Sequence, residues 1–166
     1  MARIVILGCA GAGKTTLARQ LGERMHAPVI CLDAIWQSEC QGKDVAAFRA
    51  LLKQAHAGAE WISEGNFAQA TFDLRLPRAT LVIWLECSRL SCAWRAFHRV
   101  FEHSGDHRIN DLIKVWTFIW HFDRINRPRI EALRAANGPG VPVRRLTGCR
   151  EIAAFLTSCG KGNDPN

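Results

Sequence analysis

Apolar residues gather in five short runs along the chain: Arg3–Leu7, Val29–Leu32, Glu60–Ser63, Thr80–Leu85 and Pro142–Leu146. Runs this short, rich in β-branched residues and nearly free of alternation, predict strands covered on both faces. Between them apolar positions recur every three or four residues, which predicts helices over about 15–25, 45–57, 89–102, 111–135 and 150–158. Strand–helix alternation implies an α/β fold, a parallel sheet in three layers with helices on both faces. Ligands of such sheets lie beyond the carboxyl ends of the strands. The polar residues there carry the most information: Asp33, Glu64, the stretch 86–89 and Thr147. In the fourth helical stretch Ile113, Trp116 and Trp120 share one face, most simply a core-facing stripe. A stacking platform for bases is the other reading.

Length adds that one domain suffices, since 166 residues bury a substantial core. We expect residues 1–159 to form it, with 160–166 a polar, breaker-rich tail that frays. The stretch 103–110 mixes glycine with charge and reads as a short lid or a solvated turn. No apolar run approaches the ~20 residues that span a membrane. The first strand begins without a signal-like segment. The seven cysteines form no Cys-x-x-Cys pair and several lie in apolar segments, so reduced thiols and a cytoplasmic location are expected.

Charge is uneven. The net +7 concentrates in residues 87–130, which hold eight Lys/Arg against four Asp/Glu. Such a cluster suits nucleic acid or a polyphosphate, and the second needs fewer assumptions in a chain with the next feature. Residues 8–15 read Gly-Cys-Ala-Gly-Ala-Gly-Lys-Thr, between the first strand and the first helix. In that setting Gly-x-x-x-x-Gly-Lys-Thr is a loop whose backbone N–H groups cradle phosphates. Gly8, Gly11, Ala12, Gly13, Lys14, Thr15 and Thr16 are the expected nucleotide contacts, with Lys14 on the β- and γ-phosphates and Thr15 on Mg²⁺.

Asp33 follows the second strand and reads as a Mg²⁺-shell or acceptor-side carboxylate, or as a helix N-cap. Glu64 and Gly65 follow the third strand, where an acidic residue serves the Mg²⁺ shell and a glycine lets backbone approach a ligand. Arg95 and Arg99 share one helix face, as do Arg124 and Arg127, and paired guanidinium groups suit phosphate oxygens. Arg75 and Arg78 flank a loop before the fourth strand.

Over about residues 2–158 the chain resembles the adenylate-kinase-like P-loop proteins, most closely the branch called DNA topology modulation proteins. The segments that carry this are Gly8–Leu21, Leu32–Trp36, Trp61–Phe67, Asp73–Ala79, Trp84–Arg99 and Arg127–Ile130. The resemblance implies a five-stranded sheet in order 2-3-1-4-5 and a short lid. It also implies that Arg95 and Arg99 contact nucleotide and that Arg124 and Arg127 stabilise the transferring phosphoryl group. Thr147 would lie near adenine or ribose. Glu64-Gly65 takes the place of the family's Asp-Gly, without the Pro-Arg that follows it there. The reading that results is a kinase using ATP and Mg²⁺ on a small-molecule acceptor. Lys14, Asp33, Arg95, Arg124 and Arg127 would act in transfer, Thr15, Asp33 and Glu64 on the metal. Asp33, Glu64, Gly65, Asn66 and Arg75 would hold the acceptor. The alternative is a nucleotide-gated regulator that binds nucleic acid or a protein partner.

Overall fold

Each apolar run becomes a strand of one parallel sheet, in a computed structural model that describes residues 1–40, 44–95 and 116–160. The strands are β1 (Arg3–Gly8), β2 (Val29–Cys31), β3 (Trp61–Glu64), β4 (Leu81–Glu86) and β5 (Val143–Thr147). Their order is β2-β3-β1-β4-β5, as expected. Helices α1 (Lys14–Met25), α2 (Leu32–Ser38), α3 (Val45–Ala55), α4 (Ala68–Arg75), α5 (Arg127–Asn137) and α6 (Gly148–Gly160) surround it. A 3₁₀ turn, Leu76–Arg78, follows α4, and residues 89–95 and 116–121 are also helical. A π-turn, Phe122–Asn126, joins the latter to α5.

Winding direction decides where the helices lie. The step from β1 to β2 runs toward one edge of the sheet; the steps β2 to β3, β3 to β4 and β4 to β5 run toward the other. Right-handed crossovers then place α1 on one face and α3, α4 and α5 on the opposite face. β1 and β3 are neighbours, with Ile6 paired to Glu64. The chain leaving β1 turns to one face and the chain leaving β3 to the other, so a crevice opens between their ends.

Both faces being covered, β1 and β4 are buried almost throughout, and Trp61 and Trp84 are fully enclosed. Each fully buried aliphatic side chain contributes about 1.5–3 kcal/mol, so Ile4–Leu7 and Val82–Leu85 anchor the sheet's centre.

Element boundaries shift by a residue or two from the expected ones. Leu32 opens α2 rather than closing β2, and Glu64 is the last residue of β3 rather than the first beyond it. Helices α2 and α4 were not foreseen, and Arg75 and Arg78 end α4 and the 3₁₀ turn that follows it directly, so they do not flank a loop. The tryptophan stripe is also corrected. Trp116 and Trp120 are 54% and 52% exposed and stack on each other at 6.1 Å, whereas Ile119 and Phe122 face the core. Gly160 ends α6. Arg99, Ile113, the expected lid at 103–110 and residues 161–166 lie outside the described residues.

Candidate phosphate-binding site

The loop between β1 and α1 is shaped by glycine and left electrostatically open. Gly11 has φ +76°, and a Cβ there would lie 2.3 Å from the carbonyl oxygen of Cys92, so no other residue fits without displacing backbone. The Ala12 N–H donates to Cys9 O at 3.2 Å, closing a turn that aims Ala12 inward, where it is buried. Gly13 caps α1 with no side-chain hydrogen bond, and the first turn of α1 carries no acidic residue. The first N–H groups of α1 therefore keep their positive end for an incoming anion.

Lys14 folds back over the loop, its Nζ donating to Gly8 O at 3.2 Å and Cys9 O at 3.0 Å. Both acceptors are neutral carbonyls, which an anionic phosphate outcompetes. Thr15 Oγ1 donates to Glu64 Oε1 at 2.9 Å, and Cys31 Sγ donates to the same oxygen at 2.8 Å. Burial pushes the Cys31 thiol up to about 11, and the bond to Glu64 adds to it, so Cys31 stays protonated. The other oxygen, Glu64 Oε2, is buried and has no hydrogen-bond partner among the described residues. Leaving such an oxygen unmade costs about 1–3 kcal/mol or more.

That orphaned oxygen tests whether the site suits Mg²⁺. A carboxylate oxygen and a threonine hydroxyl beside a phosphate cradle are hard donors, and Mg²⁺ takes few protein donors because it keeps waters and phosphate oxygens. The residues fit. Ala10, Gly11, Gly13, Lys14, Thr15, Thr16, Asp33, Glu64 and Arg95 line one cleft of about 260 Å³. Asp33 enters it from the first turn of α2, and Arg95 from helix 89–95, its Nη1 donating to Gly11 O at 3.5 Å.

Three solved structures share the architecture. One is a gluconokinase from Sinorhizobium meliloti 1021, 19% identical, with 96% of this chain and 94% of that one covered at a TM-score of 0.56. Another, from Chloroflexus aurantiacus j-10-fl and assigned as a kinase, is 17% identical with 98% of each chain covered at 0.58. A shikimate kinase from Bacteroides thetaiotaomicron is 21% identical, with 96% of each chain covered at 0.53. The fold is that of the P-loop kinases. No protein-family profile matches the chain, and no curated protein matches it in sequence.

Other expected site residues are distributed around this cleft. Asn66 grips the base of the P-loop: its Oδ1 accepts from the Gly8 N–H at 3.2 Å and its Nδ2 donates to Gly8 O at 3.0 Å. It spans the crevice between the ends of β1 and β3, and Gly65 at φ +125° makes the turn that delivers it. Asn66 also lines a second cavity of about 290 Å³ with Phe67, Gln69, Phe118, Asn126, Arg129, Ile130 and Leu133. Phe67 holds φ +25°, a conformation costing about 1–3 kcal/mol in a non-glycine residue. Its ring packs at 5.1 Å from Phe48 and 5.9 Å from Trp36, which holds it there.

Four expected residues sit elsewhere. Arg75 is completely buried, not cleft-lining: it donates to Ser63 Oγ at 3.3 Å, Gly65 O at 3.0 Å and Asn66 O at 2.8 Å. It braces the turn from beneath, and burial lowers its pKa while the Glu64 charge opposes that. Arg127 pairs with Glu86, which also accepts from Arg145 at 2.6 Å, and it stacks over Trp84 at 5.8 Å. Arg124 is exposed on the π-turn. Neither lines the phosphate cleft. Thr147 ends β5 with its N–H donated to Glu151 at 2.7 Å, and it too lies off the cleft.

Sequence reasoning missed Cys31 and the 290 Å³ cavity. The pairing of Cys31 with Glu64 follows from the β2–β3 register, which the runs themselves do not set.

Proposed function

We propose that this chain is a phosphotransferase that moves the γ-phosphoryl group of ATP to a small acceptor held in the 290 Å³ cavity. The observation that carries the proposal is Asn66, which holds the P-loop at Gly8 and lines the neighbouring cavity at once. A plain nucleotide hydrolase needs only the first of these features. A transferase needs a second site within reach of the first.

In this reading ATP lies along residues 8–16, with Lys14 leaving Gly8 O and Cys9 O for the phosphates. Thr15 and Glu64 would hold Mg²⁺, which when bound neutralises phosphate charge and orients the terminal group. Lys14 and Arg95 offset charge on the transferring oxygens, the part first assigned to Arg124 and Arg127, whose positions lie off the cleft. Asp33, facing the same cleft, accepts the proton of the attacking hydroxyl. Most of the acceleration comes from positioning and from charge placed in advance, since phosphoryl transfer asks little covalent work of protein groups.

The cavity's mixture of Arg129, Asn126 and Gln69 with Phe67, Phe118 and Ile130 suits a small hydroxylated carboxylate. Gluconokinase and shikimate kinase are named for acceptors of that kind, which supports the class. The narrower likeness to the DNA topology modulation branch rests on the sequence segments alone. A screen of ADP release over sugar acids, cyclic hydroxy acids, nucleosides and nucleotides tests the reading. Release that rises steeply with one hydroxy acid supports it. Slow hydrolysis indifferent to every acceptor would instead favour the nucleotide-gated regulator.

A further inference from the structure

Glu64 is held in the cleft by two donors of unlike origin. Thr15 comes from the first turn of α1, whereas Cys31 is the last residue of β2. Cys31 and Glu64 are register partners across the β2–β3 ladder. Neighbouring strands lie about 4.8 Å apart, which brings a short thiol side chain within reach of the longer carboxylate. Cys31 Sγ meets Glu64 Oε1 at 2.8 Å, on the same oxygen that takes the Thr15 hydroxyl at 2.9 Å. A carboxylate oxygen has about two lone-pair sites, and these two donors fill them. The other oxygen, Oε2, is buried with no hydrogen-bond partner among the described residues, in a side chain only 1% exposed. Arg75 does not relieve it, because its guanidinium donates to Ser63 Oγ, Gly65 O and Asn66 O. Thr15 and Glu64 line the 260 Å³ cleft; Cys31 does not.

On the reading that Glu64 serves the Mg²⁺ of a bound nucleotide, we propose that Cys31 is a positioning residue. Its thiol occupies Oε1 and so fixes the rotation of the carboxylate, leaving Oε2 as the oxygen offered to the metal.

The last torsion of a glutamate is broad and roughly two-fold, so the carboxylate plane is set by its partners rather than by its own rotamer. Thr15 cannot set it alone, because a hydroxyl proton rotates to suit its acceptor and would follow either oxygen. Cys31 is anchored in the ladder beside Glu64, so its sulfur is a fixed reference. A neutral donor also leaves the carboxylate its full charge. A lysine or arginine at position 31 would orient Glu64 equally well but offset the charge that attracts the cation. Because Cys31 is absent from the cleft lining, it acts through Glu64 and not as a ligand itself.

The test uses the full chain and a non-hydrolysable ATP analogue, so that binding is read without turnover. Calorimetry gives the analogue's Kd with Mg²⁺ and again in EDTA, and the ratio is the gain due to metal. Removing a group that orients a metal's ligand costs about 10- to 100-fold in metal affinity, and a thiol is a weak donor. Cys31→Ala should therefore shrink the metal-dependent gain by about tenfold and leave the Kd in EDTA unchanged. Cys31→Ser, which keeps a donor, should restore the gain. In a Glu64→Gln background Cys31→Ala should have no further effect, since the two residues act as one unit. An unchanged gain in Cys31→Ala overturns the proposal, as does a loss that appears equally in EDTA or that Cys31→Ser fails to restore. If the unmutated chain binds the analogue in neither condition, the nucleotide reading falls and the role of Cys31 with it. A normal metal-dependent gain in the unmutated chain, unmoved by Cys31→Ala, overturns the role of Cys31 alone.

Discussion

Glu64 shows how much chemistry one side chain sets in motion. Its Oε1 already serves two donors, while the buried Oε2 has no hydrogen-bond partner among the described residues. Glu64→Gln keeps the shape and removes the charge. It should raise the Mg²⁺ concentration for half-maximal activity by about 10- to 100-fold, read from a metal titration at fixed ATP. An unchanged titration would remove Glu64 from the metal's surroundings. Lys14 is the other decisive residue. Lys14→Ala leaves the buried core untouched and should lower turnover by about 10²–10³, with an unaltered circular dichroism spectrum. Near-normal turnover would separate the lysine from phosphoryl transfer. Both residues were legible in the sequence: the motif fixes Lys14 by its spacing, and Glu64 is the carboxylate that follows the third apolar run.

At the scale of elements, the turn after β3 decides the site, and α4 decides the turn. Arg75 reaches from the last turn of α4 to hold the carbonyls of Gly65 and Asn66 and the Ser63 hydroxyl. Arg75→Met fills much of the space yet strands those acceptors. It should cost about 3 kcal/mol of stability, measured as a lower urea midpoint, because unmade bonds to a buried charged group are expensive. A loss under about 1 kcal/mol would show that the turn holds itself.

The same residue explains why α4 was hidden. Its buried face is Thr71, Phe72 and Arg75, so two of its three core positions are polar and the apolar spacing vanishes. Helix α2 is only seven residues long, too short for a period to emerge. The strands were legible because two covered faces demand unbroken apolar runs. The tryptophan stripe misled because stacked, half-exposed rings at helical spacing look like core. The 290 Å³ cavity was beyond reach from sequence, as it exists only where α4 and α5 meet across the turn.

For the whole molecule, sheet order places the site where the chains leaving β1 and β3 part, and the core beneath it carries a pH-sensitive group. His56 is 1% exposed, donates Nδ1–H to Leu52 O at 2.7 Å and meets Trp61 edge-on at 4.6 Å. Burial drives its pKa down to about 4. The folded state thus binds fewer protons than the unfolded state between about pH 6.5 and 4, so stability falls as pH falls through that window. The loss amounts to on the order of 3 kcal/mol at full extent, from a difference of about 2.5 pKa units. Urea unfolding at pH 7 and pH 4.5 checks this, with His56→Gln flattening the difference; an equal slope in both proteins would refute it.

Among the described residues no helix is long and apolar enough to cross a membrane. In the proposed reading the sheet and helices hold a phosphate cradle beside the 290 Å³ acceptor cavity. Calorimetric titration of the reduced protein with Mg²⁺ and ATP tests that most directly. One saturating site per chain, lost in Lys14→Ala, is the predicted result; no heat from ATP or GTP with metal present would contradict it.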